Sequence, residues 1–172
     1  MKLAEKIVQP QDLAAALAAL PRPLVFTNGV FDVLHRGHVS YLHAARQLGA
    51  SLIVALNTDA SARGLGKGPE RPVNRAEDRA LVLAGLASVD LLTFFDEPTP
   101  VELLARVRPE IYVKGGDYDM AQLAETRLMH SWGGQSLALP FVDGYSTTAM
   151  LQRILAVAPA DPPQSGGAAG TD

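Results

Sequence analysis

Cysteine is absent from the 172 residues, which excludes disulfides, thiolate metal centres and a cysteine nucleophile together. Aromatic residues are few, with one Trp, four Tyr and five Phe, so a core must be built from aliphatic side chains. The hydrophobic share of 48% supplies enough of them for one domain. No apolar run approaches the ~20 residues needed to span a bilayer, and the residues before Gln9 lack the apolar core of a signal peptide. A soluble, cytoplasmic protein with no membrane partner is therefore expected. Excess charge of one sign is also missing: 15 basic and 18 acidic residues leave a formal charge of −3. With no clustered basic surface, no nucleic-acid partner is expected, and any polyanion must be met locally. Two glycine patterns are absent as well, G-x-G-x-x-G after the first strand and G-x-x-x-x-G-K-[ST], which argues against a dinucleotide fold and against P-loop chemistry.

What is present centres on Val25 to Tyr41, VFTNGVFDVLHRGHVSY. A short apolar strand stops at Thr27-Asn28-Gly29, crosses a turn carrying Phe31-Asp32, and enters a helix through His35-Arg36-Gly37-His38. Two imidazoles three residues apart at a helix start lie on one side of its first turn. Gly37 between them removes a Cβ that would keep a ligand from the backbone. Free N–H groups and the positive end of the helix dipole favour an anion there, and imidazoles add donors that carry charge near neutral pH. A lone H-x-G-H string is weak evidence, since two histidines can simply be solvated. Its position between a strand and an amphipathic helix (Val39, Leu42, Ala45, Leu48, with Gly49 as the stop) strengthens the phosphate-site reading.

Elsewhere the periodicity predicts a lead-in helix over 10–20, strands at 24–27, 51–56, 87–95, 110–113 and 135–139, and helices over 74–86, 99–107, 120–132 and 149–157. That order implies an α/β fold: a Rossmann-like open parallel sheet of five strands, helices on both faces, with right-handed crossovers. Residues 60–73 contain Gly64, Gly66, Gly68, Pro69 and Pro72, which read as an irregular loop, with Arg63, Lys67 and Arg71 supplying positive charge. Such a segment is either plain surface or a side that closes over a triphosphate, its backbone rearranging while Lys67 reaches in. Asn74 with Glu77 three residues on forms a capping-box pattern for the next helix, which carries Arg79. The fourth strand stops at Lys114-Gly115-Gly116-Asp117-Tyr118. Ligands of open parallel sheets gather beyond the strands' carboxyl ends, so this string should face the crevice of His35 and His38. Its lysine and backbone N–H groups suit a second phosphate, although a tight turn and a helix cap explain the glycines and Asp117 equally. Ser146 and Thr147 are N-cap signals for the last helix. A single domain over 1–158 is expected, followed by a Pro- and Gly-dense, disordered tail over 159–172.

Taken together, Thr27 to His38, Lys114 to Tyr118 and Gly144 to Thr148 resemble the signature segments of the H-x-G-H nucleotidyltransferase superfamily, in its cytidylyltransferase-like branch. The resemblance covers roughly Leu24 to Ile154. Its overall wording is similar to the enzymes that transfer AMP from ATP to D-glycero-β-D-manno-heptose 1-phosphate for lipopolysaccharide core synthesis. It implies catalytic roles for His35, His38 and Lys67, and nucleotide contacts from Thr27, Asn28, Gly29, Phe31, Asp32, Gly37, Arg79, Gly144, Ser146 and Thr147. Lys114, Gly115, Gly116 and Asp117 fall on the sugar-phosphate side. It further implies ATP and a sugar 1-phosphate as substrates, Mg²⁺ travelling with the nucleotide, a separate heptose kinase in the pathway, and a possible homodimer. Protein ligands to the metal stay open; Asp32 is a candidate, or else it bonds the following backbone. Rival readings are a cytidylyltransferase acting on glycerol 3-phosphate or an aminoalcohol phosphate, and a nucleotide-binding sensor without turnover.

The chemistry expected of such a site needs no side-chain base. A phosphate monoester has its second pKa near ~6 and is largely dianionic at pH 7, so it attacks the α-phosphorus directly. The barrier is repulsion and alignment between anions, which preorganised donors lower.

Overall fold

Residues 2–66, 68, 70–116, 118–140 and 142–157 are described by the computed structural model. Strands β1 (Leu24–Gly29), β2 (Ser51–Asn57), β3 (Leu91–Phe95), β4 (Ile111–Gly115) and β5 (Gln135–Leu139) pair in the order β3-β2-β1-β4-β5, every pair parallel. Among the described residues, seven α-helices accompany them, the first ahead of β1: α1 (Leu13–Ala18), α2 (Arg36–Arg46), α3 (Asp59–Gly64), α4 (Ala76–Ala84), α5 (Val101–Val107), α6 (Ala124–His130) and α7 (Thr147–Val157).

Every residue of β2 and β3 is buried, as continuous apolar strands require when both faces are covered. Alternation along the strands sorts the core into two layers. Val25, Leu52, Val54 and Val113 meet Tyr41, Leu42 and Ala45 of α2 and Ala80, Leu83 and Ala84 of α4. On the opposite face Phe26, Ile53, Ala55 and Tyr112 meet Leu13 of α1, Leu103, Leu104 and Val107 of α5, and Met129 of α6. Truncating one such buried leucine to alanine costs about 2–5 kcal/mol, so these layers hold the strand ends rigidly in place. The chain winds outward from β1 to β2 and β3 on one side, and through β4 to β5 on the other. The crevice lies at that reversal, beyond the carboxyl ends of β1 and β4.

Several local expectations are corrected. The stretch expected to be irregular begins with α3, because the Thr58 hydroxyl accepts from the Ser61 N–H and caps it. The glycines that suggested a loop act only from Gly64 onward. Asn74 does not cap α4; the N-cap is Arg75, with no side-chain bond, and Asn74 turns to Asp32 instead. The helix expected over 120–132 is a 3₁₀ turn at Met120–Gln122 followed by α6, separated by the extended Leu123. Ser146 caps α7, its Oγ accepting from the Ala149 N–H at 3.1 Å. The expected tail over 159–172 lies outside the described residues, among which no helix is long and apolar enough to cross a membrane.

Candidate active site

The site is built outward from the end of β1. Phe31 adopts a left-handed backbone conformation, φ 47°, which costs a non-glycine residue of order 1–3 kcal/mol and persists only where surroundings enforce it. Here its ring folds back over Gly29, where any Cβ would come 2.9 Å from the ring. The same ring meets His38 edge-on, 5.2 Å between centroids. His35 occupies the N-cap of α2 in an extended conformation and makes no side-chain cap bond. The two imidazoles stack, 3.8 Å between centroids and 19° between planes. Gly37 permits this: a Cβ there would lie 3.0 Å from the His35 ring and 3.2 Å from Cβ of Tyr145. Its small size makes room for the imidazole itself rather than only for a ligand.

The stack divides two hollows. One, of about 210 Å³, is lined by His38 with Asn28, Asp32, Arg71, Lys114 and Tyr118 among others. The second, of about 620 Å³, is lined by His35, Gly144, Tyr145, Ser146 and the α7 residues Met150, Arg153 and Ile154 among others. The larger falls within the ~300–1,000 Å³ usual for small-molecule sites. Burial lowers the His35 pKa below its ordinary value, since removing water disfavours the charged ring. Its Nδ1 is buried with no hydrogen-bond partner among the described residues, an arrangement that a ligand's polar atom would satisfy.

Lys114, at the end of β4, sits opposite. Its Nζ is 3.5 Å from the Tyr112 hydroxyl, which donates to Oδ1 of Asn28 at 3.0 Å, and 5.2 Å from the Tyr118 ring centre. Beneath them Thr27 and Tyr41 share a hydrogen bond at 2.6 Å, and the tyrosine donates to the Val113 carbonyl at 3.1 Å. Burial pushes the Tyr41 pKa well up, so this phenol stays neutral and ties α2 to both central strands.

Asp32 closes the other wall. Its carboxylate accepts from Arg71 Nε at 2.6 Å, Val73 N at 3.0 Å and Asn74 N at 2.9 Å. Burial alone would raise its pKa, but the backbone donors of Asn74 and Val73 and the Arg71 guanidinium outweigh that and hold it below the usual value. With its oxygens so engaged, Asp32 is a poor metal ligand. No group of three or more His, Cys, Asp or Glu suited to a metal occurs among the described residues.

Most expected site residues therefore converge: Asn28, Gly29, Phe31, Asp32, His38, Lys114, Gly115 and Thr147 line the smaller hollow, and His35, Gly144 and Ser146 the larger. Gly37 supports the stack, and Gly116, at φ 116°, turns the chain after β4. Two expectations are corrected. Arg79 does not reach the crevice: its side chain is fully buried, donating to the carbonyls of Asn74, Val30 and Asn57 and to Oδ1 of Asp59. It staples the β1 and β2 ends beneath the site. Thr27 is likewise fully buried, its hydroxyl spent on Tyr41. Lys67 and Asp117 lie outside the described residues. Tyr41 and Tyr145 belong to the site without having been given a role, and Arg71, noted only for its charge, joins them. For Arg71 the signal was its charge in a glycine-rich segment; Tyr145 accepts from Arg36 Nη1 at 3.3 Å, and the same guanidinium lies over its ring centre at 5.5 Å.

Comparison with known proteins agrees with this architecture. Residues 26–153 match the model of the cytidylyltransferase-like family. A Bordetella bronchiseptica protein named D-beta-D-heptose 1-phosphate adenylyltransferase is 60% identical over 151 residues, covering 87% of this chain and 93% of that one. The bifunctional protein HldE of Streptomyces coelicolor is 51% identical over 84% of this chain, which spans only 31% of that longer relative. Among solved structures, the lipopolysaccharide core biosynthesis protein of Thermoplasma volcanium aligns at a TM-score of 0.59 with 28% identity, covering 72% of this chain and 98% of that one. Pantothenate synthetase of Thermus thermophilus, at a TM-score of 0.52 and 21% identity over 80% of this chain and 62% of that one, shares the fold.

Proposed function

Because the chain belongs to the cytidylyltransferase-like family, we propose that it transfers AMP from ATP to D-glycero-β-D-manno-heptose 1-phosphate, giving ADP-heptose and pyrophosphate for lipopolysaccharide core synthesis. The near full-length similarity to a heptose 1-phosphate adenylyltransferase supports the reaction and both substrates. The observation that carries the reading at the level of the site is the stacked imidazole pair, with one hollow on each side of it. Under this reading the nucleotide lies along the larger hollow with its phosphates over the pair, and the acceptor phosphate enters the smaller one beside Lys114.

The acceptor phosphate oxygen forms a bond to the α-phosphorus while the bond to the β-phosphate bridging oxygen breaks, and that oxygen leaves on pyrophosphate. His35 and His38 donate to phosphate oxygens as negative charge shifts, which preorganised donors do without reorganisation. The positive end of the α2 dipole adds to the same field. Lys114 holds the acceptor in line, and Lys67 neutralises the leaving pyrophosphate. Arg79 acts from below, fixing the strand ends that carry the donors. A divalent ion such as Mg²⁺ would be carried by the triphosphate oxygens, since the described residues build no cage for one.

The acceptor's phosphate has to be installed by an earlier kinase step, a pairing supported by relatives named as bifunctional. A cytoplasmic location follows from the supply of ATP, and a homodimer belongs to the same proposal, read out by sedimentation. Pyrophosphate release measured with ATP and with CTP, against sugar 1-phosphates, glycerol 3-phosphate and an aminoalcohol phosphate, tests the assignment. Turnover only with ATP and a heptose 1-phosphate is expected; turnover with CTP and a polyol phosphate, or none at all, would overturn it.

A further inference from the structure

We propose that Glu125 is a positioning residue for the acceptor phosphate, its buried carboxylate holding the Lys114 ammonium over the smaller hollow. The inference rests on the reading of Lys114 as the acceptor-phosphate ligand. Glu125 lies in the first turn of α6, on the sheet face away from α2, with its side chain only 5% exposed. It forms an ion pair with Lys114, with Nζ 3.9 Å from Oε1. A carboxylate is not buried without compensation, so this contact needs a reason beyond packing.

The reason lies in the geometry around Nζ. A lysine carries four flexible methylenes and samples many rotamers unless several groups restrain it. Here the Glu125 carboxylate approaches from α6, the Tyr112 hydroxyl from β4, and the Tyr118 ring from the segment beyond. At 3.9 Å the carboxylate lies beyond good hydrogen-bond distance. It therefore attracts the ammonium without taking its donors, and those not directed at the Tyr112 hydroxyl stay available to a phosphate arriving from the side of Gly115. The pairing also offsets the charge of the ammonium before substrate binds, so Lys114 is held in place by a carboxylate that a phosphate does not have to displace. Tyr112 is bound into the same unit: burial and then the Glu125 charge push its pKa well up, keeping its hydroxyl a neutral bridge between Lys114 and Asn28.

Steady-state kinetics on the full chain with ATP and heptose 1-phosphate test this, using Glu125→Gln, Glu125→Asp, Lys114→Met and the double variant Lys114→Met/Glu125→Gln. Glu125→Gln is expected to raise KM for the sugar phosphate roughly tenfold, the scale of coupling between contacting charged groups, with KM for ATP and kcat within about twofold. Glu125→Asp keeps the charge and should fall between wild type and Gln, while in the Lys114→Met background Glu125→Gln should add nothing. An unchanged or lowered KM for the sugar phosphate, or equal rises for both substrates with a fall in Tm, would overturn the role of Glu125 while leaving Lys114's intact. Should Lys114→Met itself leave KM for the sugar phosphate unchanged, the acceptor-site reading fails, and the inference with it.

Discussion

Nε of Arg71 stands 2.6 Å from Oδ2 of Asp32, joining the segment before α4 to the turn after β1. The aspartate is buried and the arginine 15% exposed, so the pair is shielded from water and salt far more than a surface bridge would be. Asp32→Ala is expected to destabilise the fold by roughly 3 kcal/mol, because it strands a guanidinium and two backbone N–H groups at once. Chemical denaturation of the two proteins at neutral pH checks it.

The same pair dictates an acid response. The folded pKa of Asp32 lies below its usual value, so the unfolded chain takes up the proton first as pH falls. The stabilisation is complete above about 4 and is lost as pH drops through the lower folded pKa. Denaturation series at pH 5, 4 and 3 should show that wild type loses its advantage over Asp32→Asn in that window.

Arg79 should behave as part of the framework. Its guanidinium reaches four oxygens from Val30, Asn57, Asn74 and Asp59, a fork that a lysine ammonium cannot reproduce. Arg79→Lys is therefore expected to lower stability by about 2–4 kcal/mol, the cost of leaving buried acceptors unpaired, and a thermal melt reads this directly. A fully retained Tm with a raised KM for ATP would return Arg79 to the list of phosphate ligands.

His35 offers a titration. Burial lowers its pKa, so in the free protein the ring should take up a proton only below the ordinary histidine range near 6.5. Its contribution to stability has the opposite window to that of a paired histidine: the unfolded chain protonates first, and stability falls as pH drops below about 6.5. NMR of the imidazole resonances should show this low midpoint, moving upward when ATP is added, because a triphosphate favours the charged ring.

How much of this was legible beforehand follows from where each residue's partners lie. The imidazole pair and the capping Ser146 are local features, decided within a few residues by glycine placement and cap chemistry, and they stand where the pattern put them. The strand bounds shift instead: β1 runs on to Gly29, β3 begins only at Leu91 rather than at 87, and β4 runs on to Gly115. Arg79 and Thr27 were misread because their partners lie far along the chain: Arg79 bonds Val30, 49 residues away, and Thr27 bonds Tyr41 on the neighbouring helix. A charge on a helix looks the same in sequence whether it faces substrate or a ring of buried carbonyls. Glu125 escaped notice for a related reason, since an acidic residue in a first helical turn looks like a favourable dipole partner in solvent. Nor could spacing show that Phe31 takes a left-handed backbone to prop His38.

His38 should act chiefly in the transition state. His38→Ala is expected to lower kcat by about 10²–10³, the cost of removing one preorganised donor, with KM for ATP within a few-fold. Steady-state kinetics that show only a rise in KM would remove it from the catalytic list.

The central claim is that the His35–His38 stack receives a single triphosphate between the two hollows, and a crystal structure with a non-hydrolysable ATP analogue tests it most directly. The account predicts phosphate oxygens within hydrogen-bond distance of a ring nitrogen on each histidine, with the nucleoside along α7 and Lys114 facing the α-phosphate from the far side. A triphosphate bound elsewhere, with both imidazoles facing solvent, would contradict it.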